Sequence, residues 1–189
     1  MTGPAVAVFG GSFNPPHVGH VLAAAYVLSA CDIDAFVVIP CFIHPFAKEL
    51  ASFDDRLQMC RLAFGSLPGV RVSDVERRLG GESRTLRTLE HLAGEHPEWR
   101  LRLVLGSDVL GDVPRWYGFE RIRQLAPPIV LGRIGYDDPA TLPSVLPDVS
   151  STRIREAIGR GQIDTVRALL PRAVADFVEE RGLFAPETR

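Results

Sequence analysis

The sequence predicts an α/β fold: a doubly wound, mainly parallel sheet with helices on both faces and a helical C-terminal segment. Two observations carry this prediction. Short runs rich in apolar and β-branched residues recur at AVAVF (5–9), AFVVIP (35–40), VRVSDV (70–75), LRLVLG (101–106) and PIVLG (128–132). Runs of this length, apolar with little alternation, mark strands buried on both faces. Between them, residues 18–31, 53–66 and 84–95 carry apolar side chains at helical spacing, so strands and helices alternate as in repeated βαβ units.

Ser52 or Asp54 is positioned to cap the second helix, and Pro97, shortly after Gly94, ends the third. Residues 151–159 and 171–181 read as two further helices. Pro171 occupies the first turn of the latter and Gly182 closes it. The stretches 40–48, 111–118 and 132–150 are rich in Pro and Gly and long enough to be working loops. No repeat or linker divides the chain, and residues 1–189 are expected to form one domain.

Composition narrows the function. Hydrophobic residues make up 46% and charged residues 23%, which is ordinary globular usage and excludes a disordered chain. A formal net charge of -2 and a pI near 6.2 leave no basic field for a nucleic-acid backbone, so any phosphate must be held locally. Cys31, Cys41 and Cys60 form no CxxC pair and are expected to be reduced thiols of a cytoplasmic protein. No basic segment followed by a long apolar core opens the chain, and no run reaches the ~18 apolar residues of a membrane span. Neither a membrane nor a nucleic acid is an expected partner, and oligomeric state is not readable.

The most informative segment is AVAVFGGSFNPPHVGHVLAAAYVL, in which an apolar strand runs through Gly10 and Gly11 into a helix. That junction is where α/β sheets bind phosphate. The two glycines allow a sharp turn and close approach of a ligand, and Pro15 and Pro16 stiffen the path to the helix. The helix start offers unpaired N–H groups and about half a positive charge. His17 and His20 are three apart and share one face of that first turn, with Gly19 between them, so two imidazoles and a helix terminus point at one anion site. Neither GxGxxG nor GxxxxGK[ST] is present, and no further ligand stands at zinc-motif spacing from the two histidines.

The string GGSFNPPHVGH resembles the HxGH signature of the α/β phosphodiester nucleotidyltransferases. In its long form it is similar to the bacterial nicotinate-mononucleotide adenylyltransferases. The resemblance implies a Rossmann-like sheet and an ATP site comprising Gly10, Gly11, Ser12, Phe13, His17, Gly19 and His20. VSSTRIREAI (149–158) matches a second signature, in which Ser151, Thr152 and Arg155 would hold the β- and γ-phosphates. The resemblance also covers GSDVL, which implies Gly106 at the ATP site and Asp108 as an acceptor for the ribose, and GRIGY, which implies Arg133 on the adenine side.

On the acceptor side, RWYGFE resembles the family's Trp-Tyr segment and makes Trp116 the stacking residue for a pyridine ring. SRTLRTLE aligns Thr85 and Thr88 with a segment that reads the ring substituent, with Arg84 in place of the family's tyrosine. His44 and Lys48 stand in CFIHPFAKEL, which departs from the family's Pro-Pro-His pattern.

The resemblance implies transfer of AMP from ATP to the 5′-phosphate of nicotinate mononucleotide, with His17, His20 and Arg155 as catalytic residues. Magnesium would be carried in with ATP rather than by a resident metal site. An acceptor other than nicotinate mononucleotide remains open, nicotinamide mononucleotide and other phosphorylated metabolites among them. So does a nucleotide-binding regulator without turnover.

Overall fold

The computed structural model describes residues 3–44, 49–133 and 142–186, with the side chains of residues 112–115, 133 and 143–145 also outside the description. Six strands form one sheet: β1 (Ala5–Gly11), β2 (Ala35–Pro40), β3 (Val70–Val72), β4 (Arg100–Gly106), β5 (Pro128–Arg133) and β6 (Leu142–Leu146). They are ordered β3-β2-β1-β4-β5-β6, and every pairing is parallel. The chain therefore winds outward from β1 in one direction and returns through β4 to wind in the other. This reversal opens a crevice beyond the carboxyl ends of β1 and β4.

Alternation along each strand feeds two cores. Ala7, Phe36, Val38 and Val104 face one side and pack with α1 (Val18–Ala30), α2 (Phe53–Phe64), α6 (Ser151–Gly159) and α8 (Arg172–Glu180). Val6, Val8, Val37, Ile39, Leu103 and Leu105 face the other side, against α3 (Val75–Leu79), α4 (Thr85–Glu95) and α5 (Phe119–Leu125). A parallel strand covered on both faces must be apolar at successive positions, which is why AVAVF and FVVIP carry almost no polar residue. The doubly wound architecture and the helical C-terminal segment are as the sequence predicts. That segment also contains the short α7 (Ile163–Val166).

Three local expectations are corrected. Residues 70–75 do not form one strand: β3 stops at Val72. The Ser73 hydroxyl accepts from the Val75 amide (3.2 Å) and the Asp74 carbonyl from the Arg77 amide (2.9 Å), so this polar pair starts α3 instead. The stretch 132–150 is not all loop, since β6 pairs at the sheet edge, where Pro143 lacks an N–H without breaking an interior ladder. The stretch 111–118 continues a 3₁₀ segment, Ser107–Arg115, and Gly118, at φ 69°, then caps α5.

The helix ends are readable physically. Ser52, not Asp54, is the cap of α2, its hydroxyl accepting from the Asp55 amide at 3.1 Å. Pro171 is the residue before the first turn of α8 rather than within it, and its carbonyl accepts from Val174 and Ala175. At the other end, the Gly182 amide donates to Glu179 (3.1 Å) and the Leu183 amide to Val178 (3.0 Å). This pair of bonds requires the left-handed φ of 59° at Gly182. Gly182→Ala should therefore lower stability by about 1 kcal/mol, read as a reduced urea midpoint at unchanged slope. An unchanged midpoint would show that the terminus frays before the fold does.

Candidate active site

Two chambers open at the carboxyl end of the sheet, on either side of Gly10, Gly11 and Ser12, which line both. Gly10 and Gly11 are the last residues of β1, paired with Ile39 and Pro40, so they are not the turn that the sequence suggests. The turn falls at Phe13, whose φ is 45°. A Cβ at Gly10 would enter open space within 4 Å, whereas one at Gly11 would come 3.2 Å from the Phe13 ring. The glycines thus present bare backbone to the crevice.

The larger chamber, about 360 Å³, is lined by Phe13, His17, Gly19, His20, Gly106 and Asp108. His17 is the N-cap of α1 and is buried, and His20 lies one turn on. Their rings stack at 3.8 Å between centroids, with an interplanar angle of 26°. The His17 amide donates to His20 Nδ1 at 3.1 Å. Because Nδ1 accepts, neutral His20 carries its proton on Nε2, the nitrogen on the far side of the ring. Phe13 packs edge-on against the same ring at 5.1 Å and holds its plane. A Cβ at Gly19 would lie 3.1 Å from His17 Nδ1, so only glycine admits the stacked pair without displacement. Both histidines therefore meet at one helix terminus, as their spacing predicts.

The smaller chamber, about 190 Å³, contains His44, Arg84, Thr85, Thr88 and Trp116 in its wall. His44 and Trp116 line the larger one as well, so the two form one continuous crevice. Trp116 is steadied edge-on by Phe119 at 6.2 Å. Thr88 is buried, and its hydroxyl donates to Glu76 at 3.0 Å. Lys48 lies outside the described residues, and so does the side chain of Arg133.

The second signature sits beside the crevice rather than in its wall. Ser151 donates to the Pro15 carbonyl at 2.8 Å, and Arg155 donates to the Asn14 carbonyl at 2.8 Å. Thr152 is exposed, 3.5 Å from the Arg155 guanidinium. The start of α6 is thereby fastened to the loop that leads into α1. Neither chamber's described lining includes Ser151, Thr152 or Arg155.

Three positioning residues escape the sequence reading. Arg56 is buried, and its guanidinium donates to the carbonyls of Ala51 (3.0 Å), Ser12 (3.0 Å), Cys41 (2.8 Å) and Phe42 (3.4 Å). Its place on the apolar stripe with Met59, Cys60 and Ala63 is the signal that could have found it. Asn14 accepts from the Ala51 amide through Oδ1 at 3.0 Å, a bond between segments remote in sequence and invisible there. Glu76 accepts from the Phe42 amide (3.1 Å) and Thr88 (3.0 Å), tying α3, α4 and the end of β2 together. Beneath this layer, burial pushes the Cys60 thiol well above its ordinary range, Arg56 lowering it only in part and Cys41 adding to the rise. It stays neutral. Cys31, Cys41 and Cys60 are all free thiols.

Among the described residues no group of three or more His, Cys, Asp or Glu could hold a metal ion, and no helix is long and apolar enough to cross a membrane.

Fold and crevice define the class of protein: a doubly wound α/β sheet with an HxGH motif at its switch point. The cytidylyltransferase-like family model matches residues 8–157, which takes in all of these features up to α6. The chain is 45% identical over 185 residues to a "probable nicotinate-nucleotide adenylyltransferase" of Anaeromyxobacter sp. (strain K), covering 96% of this chain and 97% of the relative. A relative of the same description from Myxococcus xanthus (strain DK1622) is 41% identical over 180 residues, covering 95% and 94%. The fold matches that of a Plasmodium falciparum nicotinic acid mononucleotide adenylyltransferase complexed with NaAD at a TM-score of 0.82 and 18% identity, over 96% of this chain and 97% of the other. The chain belongs to the nicotinate-nucleotide adenylyltransferase family, within the HxGH nucleotidyltransferases.

The His20 geometry has a direct spectroscopic consequence. With the imidazole neutral, long-range ¹H–¹⁵N spectra should show His20 with Nδ1 unprotonated and Nε2 protonated. The opposite tautomer would mean that the His17 amide does not hold the ring in solution.

Proposed function

We propose that the protein transfers AMP from magnesium-bound ATP to the 5′-phosphate of nicotinate mononucleotide, giving deamido-NAD and pyrophosphate. The observation that carries this reading is the two-part crevice. One chamber has two stacked histidines at a helix N-terminus, the other has apolar walls with an indole, and they meet at the bare backbone of Gly10 and Gly11. The relatives' shared description supports the choice of acceptor.

An acceptor phosphate has a second pKa near 6 and is largely dianionic at neutral pH, so the reaction needs no general base. Catalysis then consists of aligning that oxygen with the α-phosphorus and stabilising charge as pyrophosphate leaves. ATP would lie in the larger chamber. The N–H groups at the start of α1 and His20 Nε2–H would donate to its α- and β-phosphates, with His17 stacked behind. Ser12 and Phe13 would border the phosphates, Gly106 and Asp108 the ribose, and Arg133 the adenine. The acceptor ring would lie against Trp116, with Thr85 and Thr88 near its substituent and His44 and Lys48 toward its phosphate.

Arg155, Ser151 and Thr152 would serve the outgoing pyrophosphate. In the structure Ser151 spends its one hydroxyl hydrogen on the Pro15 carbonyl and would have to release it, whereas Arg155 bonds the Asn14 carbonyl through one nitrogen and keeps further N–H donors for a phosphate. The magnesium ion is part of the substrate, held by phosphate oxygens and water.

Pyrophosphate release with MgATP, measured separately with nicotinate and nicotinamide mononucleotides, tests the assignment. Nicotinate-dependent turnover is expected, and silence with both would move the reading to another phosphorylated acceptor. His20→Ala should lower kcat by roughly 10²- to 10³-fold, the cost of losing one preorganised donor. Turnover within threefold of wild type would remove His20 from the reaction.

A further inference from the structure

We infer that Arg84 selects an anionic substituent on the acceptor ring, and that Glu82 holds it as a displaceable counter-ion until that substituent arrives. The inference rests on the acceptor reading above and names the residue that would decide between an acid and an amide.

The smaller chamber is floored by Val8, Ile39, Leu89, Leu103, Leu105 and Ile122, surfaces suited to the faces of a flat aromatic ring. Its polar wall is less accommodating to an acid. Glu76 places a carboxylate there, with one oxygen accepting from the Phe42 amide and the other from Thr88. The single Thr88 hydroxyl hydrogen is directed at Glu76, with the Arg84 carbonyl as a second acceptor at 3.3 Å, so Thr88 turns lone pairs rather than a donor to a ligand. A ring carboxylate entering this chamber comes near the Glu76 carboxylate, so a cation on the opposite side favours the acid. Arg84 lines the chamber.

The Arg84 backbone is fixed while its head group is not. Its carbonyl accepts from the Thr88 amide at 3.1 Å as α4 begins, and the preceding Ser83 amide donates to Ile43 at 2.9 Å. Glu82 is held by a bridge to Ile43. The Arg84 guanidinium meets the Glu82 carboxylate through one nitrogen at 2.7 Å, with the side chains 48% and 53% exposed. An ion pair this open to water is weak and easily exchanged. A carboxylate on the acceptor can take a bidentate place on the guanidinium fork, where Glu82 bonds through one nitrogen only. A carboxamide carries no charge and leaves Glu82 in place on the guanidinium. Selectivity for the acid therefore arises from an exchange of carboxylates on one arginine.

The test is steady-state kinetics with nicotinate and nicotinamide mononucleotides at saturating MgATP, for wild type, Arg84→Gln and Glu82→Gln, each with its thermal midpoint measured to establish folding. Arg84→Gln is expected to raise KM for the acid by about tenfold or more, and so to shrink the acid preference. Glu82→Gln is expected to lower KM for the acid by about two- to fivefold while the amide KM stays put. A purely structural role would move both acceptors and both variants in the same direction, and that result overturns the inference. So does an acid-to-amide ratio that neither substitution changes. Absence of wild-type turnover with either nucleotide would instead remove the acceptor reading, and the inference with it.

Discussion

A buried guanidinium bonded to main-chain carbonyls organises this molecule's crevice. Arg56 is 2% exposed, and removing such an ion from water is costly unless its donors are satisfied. Here the compensation comes from the backbone. Ser12, Cys41, Phe42 and Ala51 each turn a carbonyl to it, and charge-assisted bonds of this kind are stronger than neutral ones. Those carbonyls follow β1, follow β2 and precede α2, so one side chain sets the spacing of three chain segments at the carboxyl edge of the sheet. Phe53 covers the guanidinium carbon from 5.5 Å and is itself braced by Phe42.

From that clamp the remaining geometry follows outward. Ser12 borders both chambers, and the loop beyond it is secured from three sides: by Arg56 at Ser12, by Ala51 at the Asn14 side chain, and by Arg155 and Ser151 at the Asn14 and Pro15 carbonyls. The loop delivers His17 and His20 to the start of α1 already stacked. Pre-stacked, preorganised donors suit a phosphoryl-transfer reaction, because the protein has little covalent chemistry to perform and much positioning. At the smaller chamber, Glu76 does for Thr88 and Phe42 what Arg56 does for the loop.

Local pattern revealed the fold because its signals are local. Continuous apolar runs identify strands covered on both faces, and His17, Gly19 and His20 announce a helix terminus through spacing alone. The edge strand β6 was unreadable because Leu142–Leu146 has a proline and follows the Asp-Asp-Pro of residues 137–139, which reads as turn chemistry. Glu76 and Asn14 were unreadable because their importance lies in partners 34 and 37 residues away. Arg56 was legible in principle, as a charged residue on an apolar stripe, yet an arginine on a helix is more often a solvated one. In the sequence Gly10 and Gly11 read as the turn because glycine tolerates a positive φ. In this chain the glycines serve close approach, and Phe13 takes the left-handed backbone.

The central claim, that Arg56 holds the edge of the crevice together, is tested most directly by amide hydrogen exchange on Arg56→Leu beside wild type. The account predicts faster exchange over residues 12–20, 41–44 and 49–52, while β4 and β5 keep their protection. Unchanged exchange over residues 12–20 in the folded variant would contradict it.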